Sequence, residues 1–233
     1  MTVPHPTTGP LQLHIGPLLH FWPREAVLHF YAGLADSPAA GVVLGEAACE
    51  RRRRIMSSYP SRKVAENGDF VVEAGDVSAI ALLEQVGARF VLGPHINAYS
   101  RAALAEYARV GARRWVAPIE LPLEAVARIN APEPLLPTEV FAFGRMPLAF
   151  SARCFTARHR NLPKDDCQFA CMAHPDGLMM RTRENEGFLV LNGTQTQSAR
   201  VYNLLPELAA MQALGVDVVR ISPQAHHTLD IPA

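Results

Sequence analysis

The stretch 154–171, CFTARHRNLPKDDCQFAC, holds three of the four cysteines in a chain of 233 residues. Cys154, Cys167 and Cys171 follow the spacing C-x12-C-x3-C, and the fourth, Cys49, stands far upstream in LGEAACERRRR. Four thiolates converging on one point would hold a [4Fe-4S] cubane. They would equally accept a tetrahedral zinc ion, although structural zinc sites usually pair their cysteines in C-x2-4-C knuckles, and only Cys167 and Cys171 come near that spacing. The spacing leaves both open. Arg153, Arg158, Arg160 and Lys164, with Arg51 to Arg54 beside Cys49, surround the thiols with positive charge, which favours the thiolate and offsets the negative charge of a four-thiolate centre. The bland alternative is a set of buried structural cysteines, because cysteine is among the most buried residue types.

The rest of the composition narrows the setting. Twenty-two basic residues balance twenty-two acidic ones, and 49% of the chain is apolar. This is an ordinary globular balance, with no global field to recruit a nucleic acid or an anionic lipid surface. The RRRR run at 51–54 lacks interleaved aromatics and reads as a solvated or cofactor-facing patch rather than a nucleic-acid site. The opening MTVPHPTTGPLQLHIGPLLHF has neither a basic n-region nor a long apolar h-region, and no run reaches the ~20 apolar residues that span a bilayer. A cytoplasmic location is expected. Thiols stay reduced there, so clustered cysteines read as metal ligands or catalytic groups before disulfides.

The elements that must position these residues alternate. GVVLG (41–45), FVVEAG (70–75), RFVLGP (89–94), RRWVAP (113–118), EVFAFG (139–144), FLVLNG (188–193) and DVVRIS (217–222) are near-continuous apolar runs closed by Gly, Pro or Ser, the pattern of strands covered on both faces. Helices are expected between them. One runs from Asp76 to Gly87 and another from Ser100 to Gly111, each with a capping residue at its start and glycine at its end. Others begin at Pro23 and Pro122, and one ends at Gly215. The rhythm predicts an α/β chain with a mainly parallel sheet, of the (β/α) TIM-barrel type or doubly wound, folded as a single domain over 1–233 with its cysteine loop at 154–171. APEPLLP (131–137) is a local connector.

Parallel architectures place function at the carboxyl ends of their strands. Glu46, Cys49, Glu73, His95, Asn97, Glu120, Cys154 and Asn192 stand at those ends. Some of them serve only to cap the following helix. Among the others, His95 has the intrinsic pKa best suited to general acid or base work.

LGEAACERRR, ENGDFVVEAGDV, GPHINAY, FSARCFTARHRNLPKDDCQFAC and FLVLNGTQTQSARVYNLLPELAAMQALGVDVVRISPQ occur in the order seen in collagenase-like peptidases of the UbiU/UbiV type, a branch that works in oxygen-independent ubiquinone biosynthesis. The chain resembles that branch from HIGPLLHFWPRE to RISPQ. The resemblance implies a [4Fe-4S] cluster on Cys49, Cys154, Cys167 and Cys171, and a heterodimer with a UbiU-like protein. It also implies a UbiT-like lipid-binding accessory protein, a ubiquinone precursor as substrate and prephenate as the oxygen source. One departure stands out. Only residues 55 to 65 separate the arginines from ENGDF, where such relatives carry a further helix and strand, so an incomplete or irregular barrel is expected.

If four cysteines ligate the cluster, no iron is open to substrate, and the expected role is an electron relay or a structural staple. Substrate contact then falls to Glu46, Glu73, His95, Asn97 or Glu120. Two other readings are a zinc-stabilised scaffold protein and an RNA-modifying or peptidase-type enzyme of the wider family. No G-x-S-x-G, H-E-x-x-H, Walker loop or G-x-G-x-x-G is present.

Overall fold

The structure, a computed structural model, describes residues 9–44, 70–163 and 165–224. In chain order the strands are β1 (Gln12–Ile15), β2 (Gly41–Val42), β3 (Val72–Ala74), β4 (Phe90–Leu92), β5 (Ala112–Val116) and β6 (Thr138–Phe150). They continue with β7 (Leu178–Arg181), β8 (Gly187–Asn192), β9 (Gln195–Asn203) and β10 (Val218–Ile221). The helices are α1 (Arg24–Leu34), α2 (Val77–Gln85), α3 (Arg101–Arg109), α4 (Leu123–Asn130), α5 (Phe155–His159) and α6 (Leu208–Ala213). The architecture is mixed α/β with parallel strands joined by helices, consistent with an incomplete TIM-barrel-like fold. Among the described residues no helix is long and apolar enough to cross a membrane.

The chain divides into two compact units. The first takes in the described parts of Met1–Gln12, Ser57–Ala142 and Leu204–Arg220. Its strands run in the order β10-β6-β5-β4-β3. Pairing is parallel from β3 to β6, with Val72 opposite Phe90, Leu92 opposite Trp115 and Val116 opposite Glu139. The continuous apolar character of β4 follows from burial of all three of its residues. Phe90, Leu92, Leu104, Trp115 and Met211 are fully buried, each contributing about 1.5–3 kcal/mol by leaving water.

The capping residues act as the sequence indicates. The Asp76 carboxylate accepts from Ala79 N–H at 2.9 Å to start α2, and Ser100 Oγ accepts from Ala103 N–H at 3.2 Å to start α3. Gly93 follows β4 where its N–H donates to Ala74 O at 2.9 Å, and a Cβ there would lie 2.6 Å from that oxygen. The connector after α4 is fastened by Asn130, whose amide donates to Leu136 O and Thr138 Oγ1 and accepts from Leu135 N–H.

The second unit takes in the described parts of Leu13–Met56, Phe143–Asn203 and Ile221–Ala233. Ile15, Leu18, Trp22, Phe30, Leu34 and Ile221 form its core, with the Trp22 and Phe30 rings edge to face at 5.4 Å. β1 and β2 pair in parallel, His14 opposite Gly41.

The remaining strands of this unit depart from the parallel rhythm. The end of β6 pairs antiparallel with β9, β9 with β8, and β8 with β7. FLVLNG reads in the sequence as a strand covered on both faces, yet it opens a hairpin whose Phe188 is exposed. The reason is local. Asn192 pairs with Gln195, leaving Gly193 and Thr194 as a two-residue turn, and Gly193 takes φ +60°, which a tight hairpin turn requires.

Candidate functional site

Three of the expected cysteine ligands lie in the second unit. Cys154 precedes α5, and its Sγ accepts from Ala157 N–H at 3.4 Å, in the manner of a helix N-cap. The start of α5 is tied to the hairpin turn: Phe155 N–H donates to Gly193 O at 2.7 Å, and Gly193 N–H donates to Thr156 Oγ1 at 3.4 Å. The segment after Cys154, loop-like in the sequence, is therefore helical for its first five residues. It ends where Leu162 N–H returns to Ala157 O at 2.8 Å.

Cys167 accepts at its carbonyl from Ala170 N–H at 3.1 Å, and Cys171 sits in the turn Ala170–Ala173, which packs against α5. Between them Gln168 and Phe169 have φ of 49° and 50°. Two successive left-handed non-glycine residues cost about 1–3 kcal/mol each, so the loop needs anchors. The Phe169 ring packs tilted against Phe21 with ring centres 5.3 Å apart, and Trp22 Nε1 donates to Pro175 O at 3.0 Å. Arg160 meets the His174 ring at 3.1 Å on the same loop.

All three cysteines are half-buried thiols. Among the described residues, no group of three or more His, Cys, Asp or Glu side chains is gathered to hold a metal ion. The fourth expected ligand, Cys49, lies outside the described residues, as do Glu46, Arg51 to Arg54, the shortened segment 55–65 and Lys164. Cys154, Cys167 and Cys171 thus lie in one unit as half-buried thiols, not drawn together there into a metal-holding group.

The expected substrate-facing residues of the first unit separate into two groups. Glu73 lies within β3 rather than after it. Its carboxylate takes two bonds from Arg220, Nη2 to Oε2 at 2.6 Å and Nη1 to Oε1 at 3.1 Å. Arg220 Nε also donates to Glu139 on β6, which lies 2.7 Å from Arg114 Nε. Burial opposes the charge of Arg220, but Glu73 and Glu139 outweigh it and hold the guanidinium above its usual range. This network was hidden in the sequence, where its members are scattered across four strands.

His95, Asn97 and Glu120 form the second group. His95 and Asn97 are exposed at the turn Pro94–Ile96 after β4, with Asn97 in the left-handed region at φ 57°. Tyr99, which sequence reasoning passed over, joins two of the three residues. Its hydroxyl donates to the Glu120 carboxylate and lies 3.4 Å from Asn97 Oδ1. The bond to Glu120 holds the phenol above its usual pKa. In the second unit, the expected Asn192 is buried, and its amide donates to Leu19 O, a fastening role.

A third feature was not foreseen. His20 is 2% exposed. Burial pushes its pKa down to about 4, with Asp176 opposing, Arg145 assisting and Gln197 opposing. The imidazole is neutral at physiological pH. Its position in the apolar run GPLLHFW carries no sequence signal for this.

No solved structure matches the chain. The sequence profile of peptidase family U32 matches residues 49–231. That span includes all four cysteines, the Tyr99–Glu120 pair and every strand from β3 onward. The chain belongs to peptidase family U32.

Proposed function

We propose that this chain is the [4Fe-4S] subunit of an oxygen-independent ubiquinone-ring hydroxylase, acting with a UbiU-like partner and a UbiT-like accessory protein, as its resemblance to UbiV implies. The observation that carries this reading is the anchored loop that presents Cys154, Cys167 and Cys171 as half-buried thiols within a U32 domain. Cys49, Cys154, Cys167 and Cys171 would be the ligands. A bound cluster would supply one-electron carriage.

The remaining work falls to side chains of this chain and its partner. Tyr99 donates its hydroxyl proton to the Glu120 carboxylate in a hydrogen bond, so this pair can hold or pass a proton at the phenol oxygen. His95, exposed close by in sequence, supplies an imidazole on the same strand-end turn.

Anaerobic purification followed by iron and acid-labile sulfide assays tests the reading. Close to four irons per chain, with broad visible absorbance that bleaches on reduction, is the expected result. One zinc per chain, unchanged by anaerobic reconstitution, supports the scaffold reading instead. A folded, colourless, metal-free chain rejects both. Cleavage of a peptide or RNA by the isolated chain points to the wider family's other activities. In cells, deletion is expected to remove quinone only under anaerobic growth.

A further inference from the structure

We propose that the turn carrying Cys167 and Cys171 is a metal-driven backbone switch: Gln168 and Phe169 rest in the left-handed region with the Phe169 ring latched on Phe21, and become helical when the two thiols close with Cys154 on a metal ion. The inference rests on the reading of these cysteines as ligands and goes beyond it by naming what must move. Among the described residues no three thiols are placed to hold one ion. A soft divalent ion needs each sulfur at about 2.3 Å, so the turn has to change shape before it can hold one.

The spacing says which change would do it. Cys167 and Cys171 are four residues apart, and on a helix that separation sets two side chains side by side on one face. Here the left-handed pair interrupts the helix: Gln168 and Phe169 have φ of 49° and 50°, and the tight turn begins only at Ala170. Non-glycine residues visit this region seldom, bulky ones least, so the pair has to be held there. The Phe169 ring is held against Phe21 at 5.3 Å between centres, and Trp22 Nε1 holds Pro175 O at 3.0 Å beyond the same turn.

The two sides of the site differ in how firmly they are fixed. Cys154 stands beside the buried Thr156 and Ala157, and its neighbours are bonded across the unit, Ser151 N–H to Thr194 O and Phe155 N–H to Gly193 O, both at 2.7 Å. Cys167 and Cys171 stand on the stretch 165–177, in which no residue is buried. Moving that stretch exposes no core. Cys167 O accepts from Ala170 N–H at 3.1 Å across the left-handed pair, and a helical turn would exchange this bond for one from Cys171 N–H. Each thiol gives its proton to solvent as it takes the metal.

The test uses cadmium ion alone, added without oxygen to the full, reduced, metal-free chain. The ultraviolet thiolate–cadmium band reports binding, and the NMR signal of the Trp22 indole N–H, the one lost in Trp22→Phe, reports the latched side. Both are expected to change together and to saturate together. Gln168 is exposed, so Gln168→Gly removes the cost of the left-handed state without disturbing packing and is expected to weaken cadmium binding about tenfold, while Gln168→Ala binds like the parent. Phe21→Leu loosens the latch and is expected to tighten binding by about two- to tenfold, the worth of one aromatic pair. Cadmium binding that leaves the Trp22 signal unmoved overturns the switch and leaves the ligand reading standing. Equal affinities for the Gly and Ala variants, or weaker binding by Phe21→Leu, overturn it in the same way. Absence of a thiolate band overturns the switch and the ligand reading together.

Discussion

Replacing His20 by glutamine removes a buried imidazole that folding keeps uncharged, and the consequence is a change in how stability depends on pH. In the unfolded chain the ring takes a proton near 6.5, whereas in the folded unit it does so only near 4. Between these values the unfolded state binds one more proton than the native state, so acid favours unfolding. The contribution is fully present above pH 6.5 and is lost as pH falls toward 4. At about 1.4 kcal/mol per pH unit, the loss over that window comes to about 3 kcal/mol. Carboxylates elsewhere add their own slopes, but His20→Gln leaves those in place, so the difference between wild type and variant isolates the imidazole. Urea unfolding at a series of pH values supplies the measurement. Trp22 belongs to the same unit and is buried at 5% exposure, so its fluorescence, in a Trp115→Phe background, reports the opening of that unit. The stability gap between variant and parent should shift in favour of the variant by about 3 kcal/mol from pH 7 to pH 4. Parallel pH curves for the two proteins would show that the ring is not held neutral and would refute the reasoning.

Four further outcomes are expected. Arg220→Met removes one of the two guanidiniums paired with the fully buried Glu139, leaving Arg114, and also takes the partner from Glu73; it should cost about 3–5 kcal/mol by urea unfolding, with part of the loss recovered on adding Glu139→Gln. Leu104→Ala empties a fully buried position in the first unit and should cost about 2–5 kcal/mol in the same assay. Tyr99→Phe removes only surface hydrogen bonds, to Glu120 and Asn97, so folding should change by less than about 0.5 kcal/mol, while under the proposed function turnover of the complex reconstituted with its partner falls about a hundredfold. Cys154→Ser keeps an acceptor at the start of α5, since serine is itself a good N-cap, so the variant should melt like the parent yet purify with depleted iron. Retention of full iron content would remove Cys154 from the ligand set.

Much of the first unit was legible in the sequence, because its signals are local. Asp76 and Ser100 announce α2 and α3 through bonds to amides three residues on. The apolar runs at β4, β5 and β10 read as covered strands because each run reports its own burial, whereas the run at β3, expected to be covered on both faces, leaves Phe70 and Val71 exposed. The second unit was less legible. α5 hides in a polar segment because five residues are too few for a periodic pattern, and the β7–β8–β9 meander depends on the Gly193 turn as much as on its apolar content. The cysteine spacing suggested a ligand set, and the structure adds how Phe21, Phe169 and Trp22 anchor the loop that carries three of those residues.

By itself the sequence determined the alternation of strands and helices, the helix ends and the clustering of three cysteines in one segment, all of which depend on residue type over a few neighbouring positions. Tertiary structure alone decided that Glu73 is an ion-pair partner of Arg220, 147 positions away, that Tyr99 bridges Asn97 and Glu120, and that His20 is buried and neutral beside Arg145. Charge pairing, hydrogen bonding and desolvation are properties of what surrounds a side chain in space, and the chain brings those surroundings together only when distant strands align.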